Sequence, residues 1–355
     1  MTHAIDQYLE SALVGDATTD HALIIQRWLI ELGFESNIYA EGFQPDLEGA
    51  VRPASSYWSE KQDGLLIYHH STGSVAADRL IKEGRELILI YHNITPPEFF
   101  TSMDQTIFRR MRLGREQLTG LRQQTKLALG ASDYSEKELQ EFGYSQTDVL
   151  PIVLKEELYQ NPAIEELKLR YRDQGPILLF IGRLAPNKKP EDLIKLLYFY
   201  RRIEPDAILL LVGNIILPKY VRWMKEFSRG FELEEAVIFT GRVSHAQMIS
   251  YYQLADFYVS MSEHEGFGKP LIESMYFDLP VIAYKAAAVP YTMAQSGVLF
   301  QRKHYEALAE VVNMLNKDQD FRQKIISNQN IRLADFLETN VRAYFEQLLE
   351  SWQLL

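Results

Sequence analysis

Short apolar runs alternating with stretches of helical periodicity constrain this chain more than any other feature. The runs cover residues 65–68, 87–91, 177–181, 207–212, 236–239, 257–260 and 281–284, and each closes at a glycine, histidine, asparagine or polar turn. Between them lie amphipathic segments. In "DHALIIQRWLIELGF", Leu23, Ile24, Trp28, Leu29 and Leu32 fall on one stripe, and Gly33 stands as a C-terminal stop. In "PEDLIKLLYFYRRI", Pro190 suits a first helical position, while Glu191 and Asp192 suit the positive end of the helix dipole. Ser244 reads as the N-cap of "SHAQMISYYQLA". Strands alternating with helices predict an α/β chain of parallel sheets covered on both faces. Such sheets bind ligands at the carboxyl ends of their strands, next to helix amino termini.

A length of 355 residues suits two domains of roughly 150 each. A boundary is expected near "TDVLPIVLKEELYQNP", where two prolines and mixed charges end one α/β run before a fresh strand at Ile177. The reading therefore places one Rossmann-like domain at 1–150 and a second at 151–335. The amphipathic tail 336–355 is expected to pack back on the first.

Charge narrows the partners. With 37 Lys and Arg against 48 Asp and Glu the net charge is −11, which argues against a nucleic-acid surface. A small anion held by a few local cations stays open. No cysteine is present, so disulfides and thiolate metal sites are absent. The opening "MTHAIDQYLESALVGD" lacks a basic segment followed by a long apolar core, so no secretory leader is expected. No run approaches the ~18 apolar residues of a membrane span. A cytoplasmic location is expected, with a peripheral contact to the inner membrane face left open.

The stretch "SEHEGFGKPLIESM" carries the chemistry. A strand ends, a Gly-Phe-Gly loop turns, and Pro270 opens a helix. Gly266 and Gly268 let backbone approach a ligand, and the free amides of a helix start favour an anion or sugar oxygens. Glu265 stands at the strand tip and Glu273 in the helix, both toward the same space. Spacing alone means little, because Glu157 and Glu165 repeat it in a plain polar segment. The strand–Glu–Gly–aromatic–Gly context is what singles out the pair. In "LLFIGRLAPNKKPEDLI", Arg183 and Lys188 follow another strand tip at Gly182; a guanidinium fork and an ammonium suit phosphates.

These motifs resemble those of the retaining nucleotide-sugar glycosyltransferases of family 4. E-x7-E is matched by Glu265 and Glu273, and G-R-x4-K by Gly182, Arg183 and Lys188. The likeness is clear from Pro176 to Phe300 and looser earlier, through "GDATTDHALIIQRWLIELGFES" and "YHNITPPEFF". It implies a GT-B fold, two Rossmann-like doubly wound domains facing a central cleft, with the acceptor on the first and the donor on the second. It implies that Arg183 and Lys188 neutralise the donor diphosphate, that Glu273 holds the ribose hydroxyls and that Glu265 binds the donor sugar. Gly266, Phe267 and Gly268 would lie close to sugar or phosphate, and Gly241, Arg242 and Val243 would line the base pocket. His92 resembles the family's cleft histidine, and the loop at Gly15 and Asp16 resembles the one that approaches the donor phosphates. The expected partners are a nucleotide-sugar donor and a glycan or lipid-linked acceptor, with no cofactor and no metal. "KAAAVPYTM" departs from the glycine pair and glutamate common at that point, which leaves the donor's base and sugar open.

Three further readings complete the set. His69, His70 and His92 end apolar runs, yet no carboxylate or cysteine joins them in a zinc pattern. The segment 107–126 gathers Arg109, Arg110, Arg112, Arg115, Arg122 and Lys126, either a solvated helix face or a contact for anionic lipid. Asp318 and Asp320 mimic a metal-binding D-x-D but are read as helix surface. A sugar-nucleotide epimerase, a phosphorylase and a transferase-like protein that binds without turnover are the alternatives. A phosphorylase needs a pyridoxal-phosphate lysine and a longer chain, and an epimerase needs acid–base carboxylates unlike E-x7-E.

Overall fold

The structure, a computed structural model, describes residues 4–59 and 64–352. The chain divides into two compact units, one running to Val153 and resuming at Glu338, the other spanning Leu154–Leu337.

The first unit contains seven strands: β1 (Ile5–Ala12), β2 (Ile38–Phe43), β3 (Val51–Pro53), β4 (Leu65–His70), β5 (Leu87–Tyr91), β6 (Thr125–Gly130) and β7 (Thr147–Val149). They lie in the order β3-β2-β1-β4-β5-β6-β7, and every pairing is parallel. Side-chain alternation divides the core between the two faces of this sheet. Leu66, Tyr68, Leu87, Leu89 and Tyr91 pack into one buried layer, while Ile67, Ile88 and Ile90 pack into the other. Burial on both faces is why β4 and β5 read as continuous apolar runs. Helix Ala17–Glu31 covers the second layer through Ile25, Trp28 and Leu29. Helix Glu338–Ser351 joins it with Val341, Phe345 and Leu348, and the Trp28 and Phe345 rings lie 5.5 Å apart. Glu338 accepts hydrogen bonds from Trp28 Nε1 at 2.9 Å and from Arg27. The tail is thus not one helix: a short 3-10 turn at Ala334–Phe336 belongs to the second unit, and the chain breaks at Leu337.

The second unit holds β8 (Ile177–Ile181), β9 (Ile208–Val212), β10 (Val237–Gly241), β11 (Phe257–Ser260), β12 (Val281–Tyr284) and β13 (Val298–Phe300). Their order is β10-β9-β8-β11-β12-β13, again parallel throughout. Both sheets therefore reverse their strand order once, between β1 and β4 and between β8 and β11. In doubly wound sheets this switch point is where a crevice opens beyond the strand ends. Helix Pro190–Tyr200 follows β8, and helix His245–Leu254 starts from a capping box in which Ser244 and Gln247 satisfy each other's backbone amides. Asp318 is itself an N-cap, accepting from Phe321 N at 2.9 Å where helix Gln319–Leu333 begins. Among the described residues, no helix is long and apolar enough to cross a membrane.

Candidate active site

At the second unit's switch point, the chain leaves β8 through Gly182 and runs along the tips of its neighbours. Gly182 N donates to Val212 O at 2.9 Å, and Gly213 N donates to Gly241 O at 3.1 Å. This approach demands glycine at 213: a Cβ there would meet the Gly182 carbonyl oxygen at 1.9 Å. The loop then turns through Pro186–Lys188 into helix Pro190–Tyr200. Buried Asn187 ties it to the loop after β11, donating from its amide to His264 O at 3.1 Å and accepting from Glu263 N at 2.8 Å. Two loops far apart in sequence become one rigid lip.

That lip brings the predicted ions together. Lys188 Nζ pairs with Glu265 Oε2, and both side chains are largely withdrawn from solvent. Burial pushes Lys188 below the usual lysine range; Glu265 opposes that shift and Arg183 adds to it. Arg183 is exposed, so it is the cation of the trio left facing water. Lys303 braces the same lip, donating to Asp192 and Glu263 at 2.8 Å each, while Tyr305 and Lys195 each bond Asp192 at 2.8 Å. Those bracing hydrogen bonds hold the Asp192 carboxyl below its usual range, although burial alone pushes the other way.

Beyond Glu265, the Ala288 amide donates to the Glu265 carbonyl at 3.2 Å. Gly268, at φ +88°, releases helix Lys269–Tyr276. Phe267 is buried against Phe336 at 5.4 Å, and its carbonyl accepts from Thr292 Oγ1 at 2.5 Å. Phe267 therefore anchors the loop between Gly266 and Gly268.

Glu273 is fully enclosed in this unit. Its Oε1 accepts from Tyr159 Oη and its Oε2 from Tyr252 Oη, both at 2.6 Å, with Lys269 Nζ 3.6 Å away. Two tyrosine hydroxyls stand where a ligand diol is expected. Sequence reasoning missed both, since Tyr159 lies 114 residues from Glu273 and gives no local signal. At the tip of β10, Gly241 takes φ +69°, Arg242 is exposed, and Val243 leads into the Ser244 cap.

The first unit's switch point is built differently. Gly15, at φ +79°, and Asp16 form an exposed turn after β1, and Asp16 caps helix Ala17–Glu31 by accepting from Thr18 N at 3.1 Å. At the ends of β4 and β5 stand histidines. His69 Nδ1 lies 2.9 Å from His92 Nε2, and His69 Nε2 lies 2.9 Å from Gln7 Oε1. His21 sits edge-on to both rings, at 6.3 Å from His69 and 5.7 Å from His92, with neither ring nitrogen bonded. His70 is committed elsewhere, to the Gly114 carbonyl at 2.8 Å. Burial lowers all four below the usual histidine range, His21 to about 3 and His70 to about 4. No group of three His, Cys, Asp or Glu among the described residues is arranged to hold a metal ion. Gln7 and His21 were not singled out by sequence, because a buried glutamine and histidine in amphipathic segments look like ordinary surface residues.

Most of the basic segment folds as helix Gln105–Leu121, with Arg122 and Lys126 just beyond it, and acidic side chains neutralise most of its charge. Arg110 pairs with Glu10, Arg112 with Glu116, Arg115 with Glu138 and Lys126 with Glu86, while Arg122 donates to the Phe142 carbonyl. Arg109 is the member of the cluster without such a partner among the described residues.

Two parallel sheets, each with a single reversal of strand order, give this chain the two-domain GT-B type of fold. A solved structure, Anabaena HepE in complex with UDP and glucose, matches over 98% of this chain and 100% of that one, with a TM-score of 0.81 at 20% identity. At that identity the likeness speaks for the fold. Residues 164–332 match the family described as glycosyl transferases group 1. The chain is similar over 143 residues, at 27% identity, to alpha-monoglucosyldiacylglycerol synthase of Streptococcus pneumoniae, covering 38% of this chain and 32% of that protein. It is similar over 165 residues, at 26% identity, to a GDP-mannose-dependent alpha-(1-6)-phosphatidylinositol monomannoside mannosyltransferase of Mycobacterium tuberculosis, covering 44% and 42%. The matched part thus spans about a third to two-fifths of these curated relatives.

Proposed function

We propose that the protein is a retaining glycosyltransferase, moving a hexose-type sugar from a nucleotide-diphosphate donor to a glycan or lipid-linked acceptor. The observation that carries this reading is the Lys188–Glu265 pair, with Arg183 beside it, at the switch point of a group 1 domain. Transfer breaks the bond between the anomeric carbon and the donor phosphate oxygen and forms one to an acceptor hydroxyl oxygen. The acceptor's proton ends on the departing diphosphate. Negative charge grows on that leaving group, and fixed cations in a partly dry lip stabilise it most when it is most developed. Glu265 keeps the buried ammonium charged and oriented until the donor arrives. The rigid lip made by Asn187 and Lys303 spares the reorganisation that would otherwise oppose the step.

Support for each residue role differs in kind. Arg183 is exposed and available to a phosphate, whereas Glu273 is occupied by Tyr159 and Tyr252. Binding of ribose at Glu273 requires the Tyr159 hydroxyl to leave Oε1. The lipid-surface role of helix Gln105–Leu121 draws little from its charges, because acidic partners already hold most of them. The lipid-linked acceptor rests instead on the relatives, whose names include a diacylglycerol glycolipid synthase and a phosphatidylinositol mannoside mannosyltransferase.

Calorimetric titration of the purified protein against UDP-, GDP-, dTDP- and ADP-sugars tests the reading. One base is expected to bind, and the donor so identified should give a product with the anomeric configuration of the donor, read by NMR. Absence of binding by all four, or an inverted product, would overturn it.

A further inference from the structure

The histidines of the first unit form a chain whose protons can be assigned from one end. Gln7 is completely buried, and its amide nitrogen lies 3.0 Å from the Ala22 carbonyl, which can only accept. The opposite amide orientation would set two carbonyl-type oxygens against each other at that distance. Gln7 Oε1 therefore points at His69 and accepts, so His69 Nε2 carries a hydrogen. His69 is buried and held neutral, so its Nδ1 is bare and must accept in turn. The donor across the remaining 2.9 Å contact is His92 Nε2.

We infer that Gln7 and His69 are positioning residues that lock His92 in its Nε2–H tautomer, so that His92 Nδ1 presents a lone pair to a substrate hydroxyl. The groups around His92 do not supply a competing charge: His21 lies edge-on, His69 is its hydrogen-bond partner, and the His92 amide donates to the His70 carbonyl at 3.0 Å. Unlike its three buried neighbours, His92 keeps part of its surface exposed. A neutral imidazole with this tautomer accepts from a hydroxyl at Nδ1 and has no hydrogen there to offer a phosphate oxygen. The site would thus select a sugar hydroxyl at this point and reject the deoxy analogue, whose loss leaves a partly buried acceptor unpaired. The sugar part of this inference rests on the transferase reading; the tautomer lock does not.

The test is a long-range proton–nitrogen NMR correlation on the full chain labelled with 15N-histidine, with His92 assigned by loss of its signals in His92→Gln. The lock predicts a protonated Nε2 and an unprotonated Nδ1 for His92 in the free wild-type protein. It predicts that Gln7→Met mixes the tautomers and lowers kcat/KM about 10-fold or more. The amide proton–nitrogen spectrum of Gln7→Met, compared with that of the wild type, is the control against simple misfolding. A protonated Nδ1 in the wild type, or an unchanged tautomer in a folded Gln7→Met protein, would overturn the lock. If the tautomer behaves as expected while no nucleotide sugar is turned over, the lock stands and the transferase reading fails.

Discussion

The two units solve the same topological problem with opposite chemistry. Each is a parallel sheet whose strand order reverses once, and each places polar side chains on strands or in the loops just beyond them near that reversal. In the first unit those side chains are histidines kept neutral by burial and linked by hydrogen bonds. In the second they are an ammonium and a carboxylate, paired and braced by further ions. A neutral chain can read hydroxyls but cannot hold a diphosphate. A charged lip can hold a diphosphate at the expense of keeping ions partly dry. Topology places a site, and the residues at the strand tips decide what it handles.

The comparison breaks first at Lys188. Lys188→Ala should lower kcat with the matched donor about 10²–10³-fold, as expected when one preorganised group facing developing charge is removed. Steady-state kinetics at saturating donor check this, and a loss under tenfold would move the burden elsewhere.

Acid should separate the units next. The folded His21 titrates near 3 and His70 near 4, both below the unfolded value of 6.5. Between those limits the unfolded chain binds protons that the native first unit refuses, so stability falls as pH drops from 6.5 toward 4. Each such histidine contributes a slope of up to about 1.4 kcal/mol per pH unit. Urea unfolding across that range should show the decline, flattened in His70→Gln; a flat profile for the wild type would contradict neutral burial.

Tyr159→Phe sharpens the account of Glu273. Removing one of two tyrosine donors from a buried carboxylate should cost about 1–3 kcal/mol of stability. If ribose takes the vacated position, nucleotide affinity should rise, by up to about tenfold. Denaturant titration and calorimetry on the same variant give both numbers, and weakened nucleotide binding would argue that Tyr159 itself supports the pocket. The smallest effect is expected at Ala287, which sits at φ +49°. Ala287→Gly should relieve left-handed strain and raise stability by about 1 kcal/mol, seen as a small rise in Tm.

Much of this organisation was legible in the sequence, and the exceptions have physical causes. β5, β8, β11 and β12 were readable because burial on both faces makes them uninterrupted apolar runs. β1 was missed: "IDQYLESA" carries Asp6, Gln7 and Glu10, and Gln7 is buried only because Ala22 and His69 satisfy it. Arg183, Lys188 and Glu265 stood out because they follow strand tips at glycine-bearing loops. The partners of Glu273 and of the lip did not, since Tyr159 and Tyr252 reach Glu273, and Lys303 reaches Glu263, through tertiary contacts that leave no local pattern. The basic segment misled in the opposite sense, because Glu10, Glu86 and Glu138 neutralise it from distant positions.

The most direct test compares nucleoside diphosphate binding in the wild type, Lys188→Ala and His92→Ala by calorimetry. The account predicts that Lys188→Ala weakens the matched diphosphate at least tenfold, while His92→Ala, which lacks a sugar to contact, changes it little. Equal affinity in the wild type and Lys188→Ala, or a larger loss in His92→Ala, would contradict the division of labour between the two switch points.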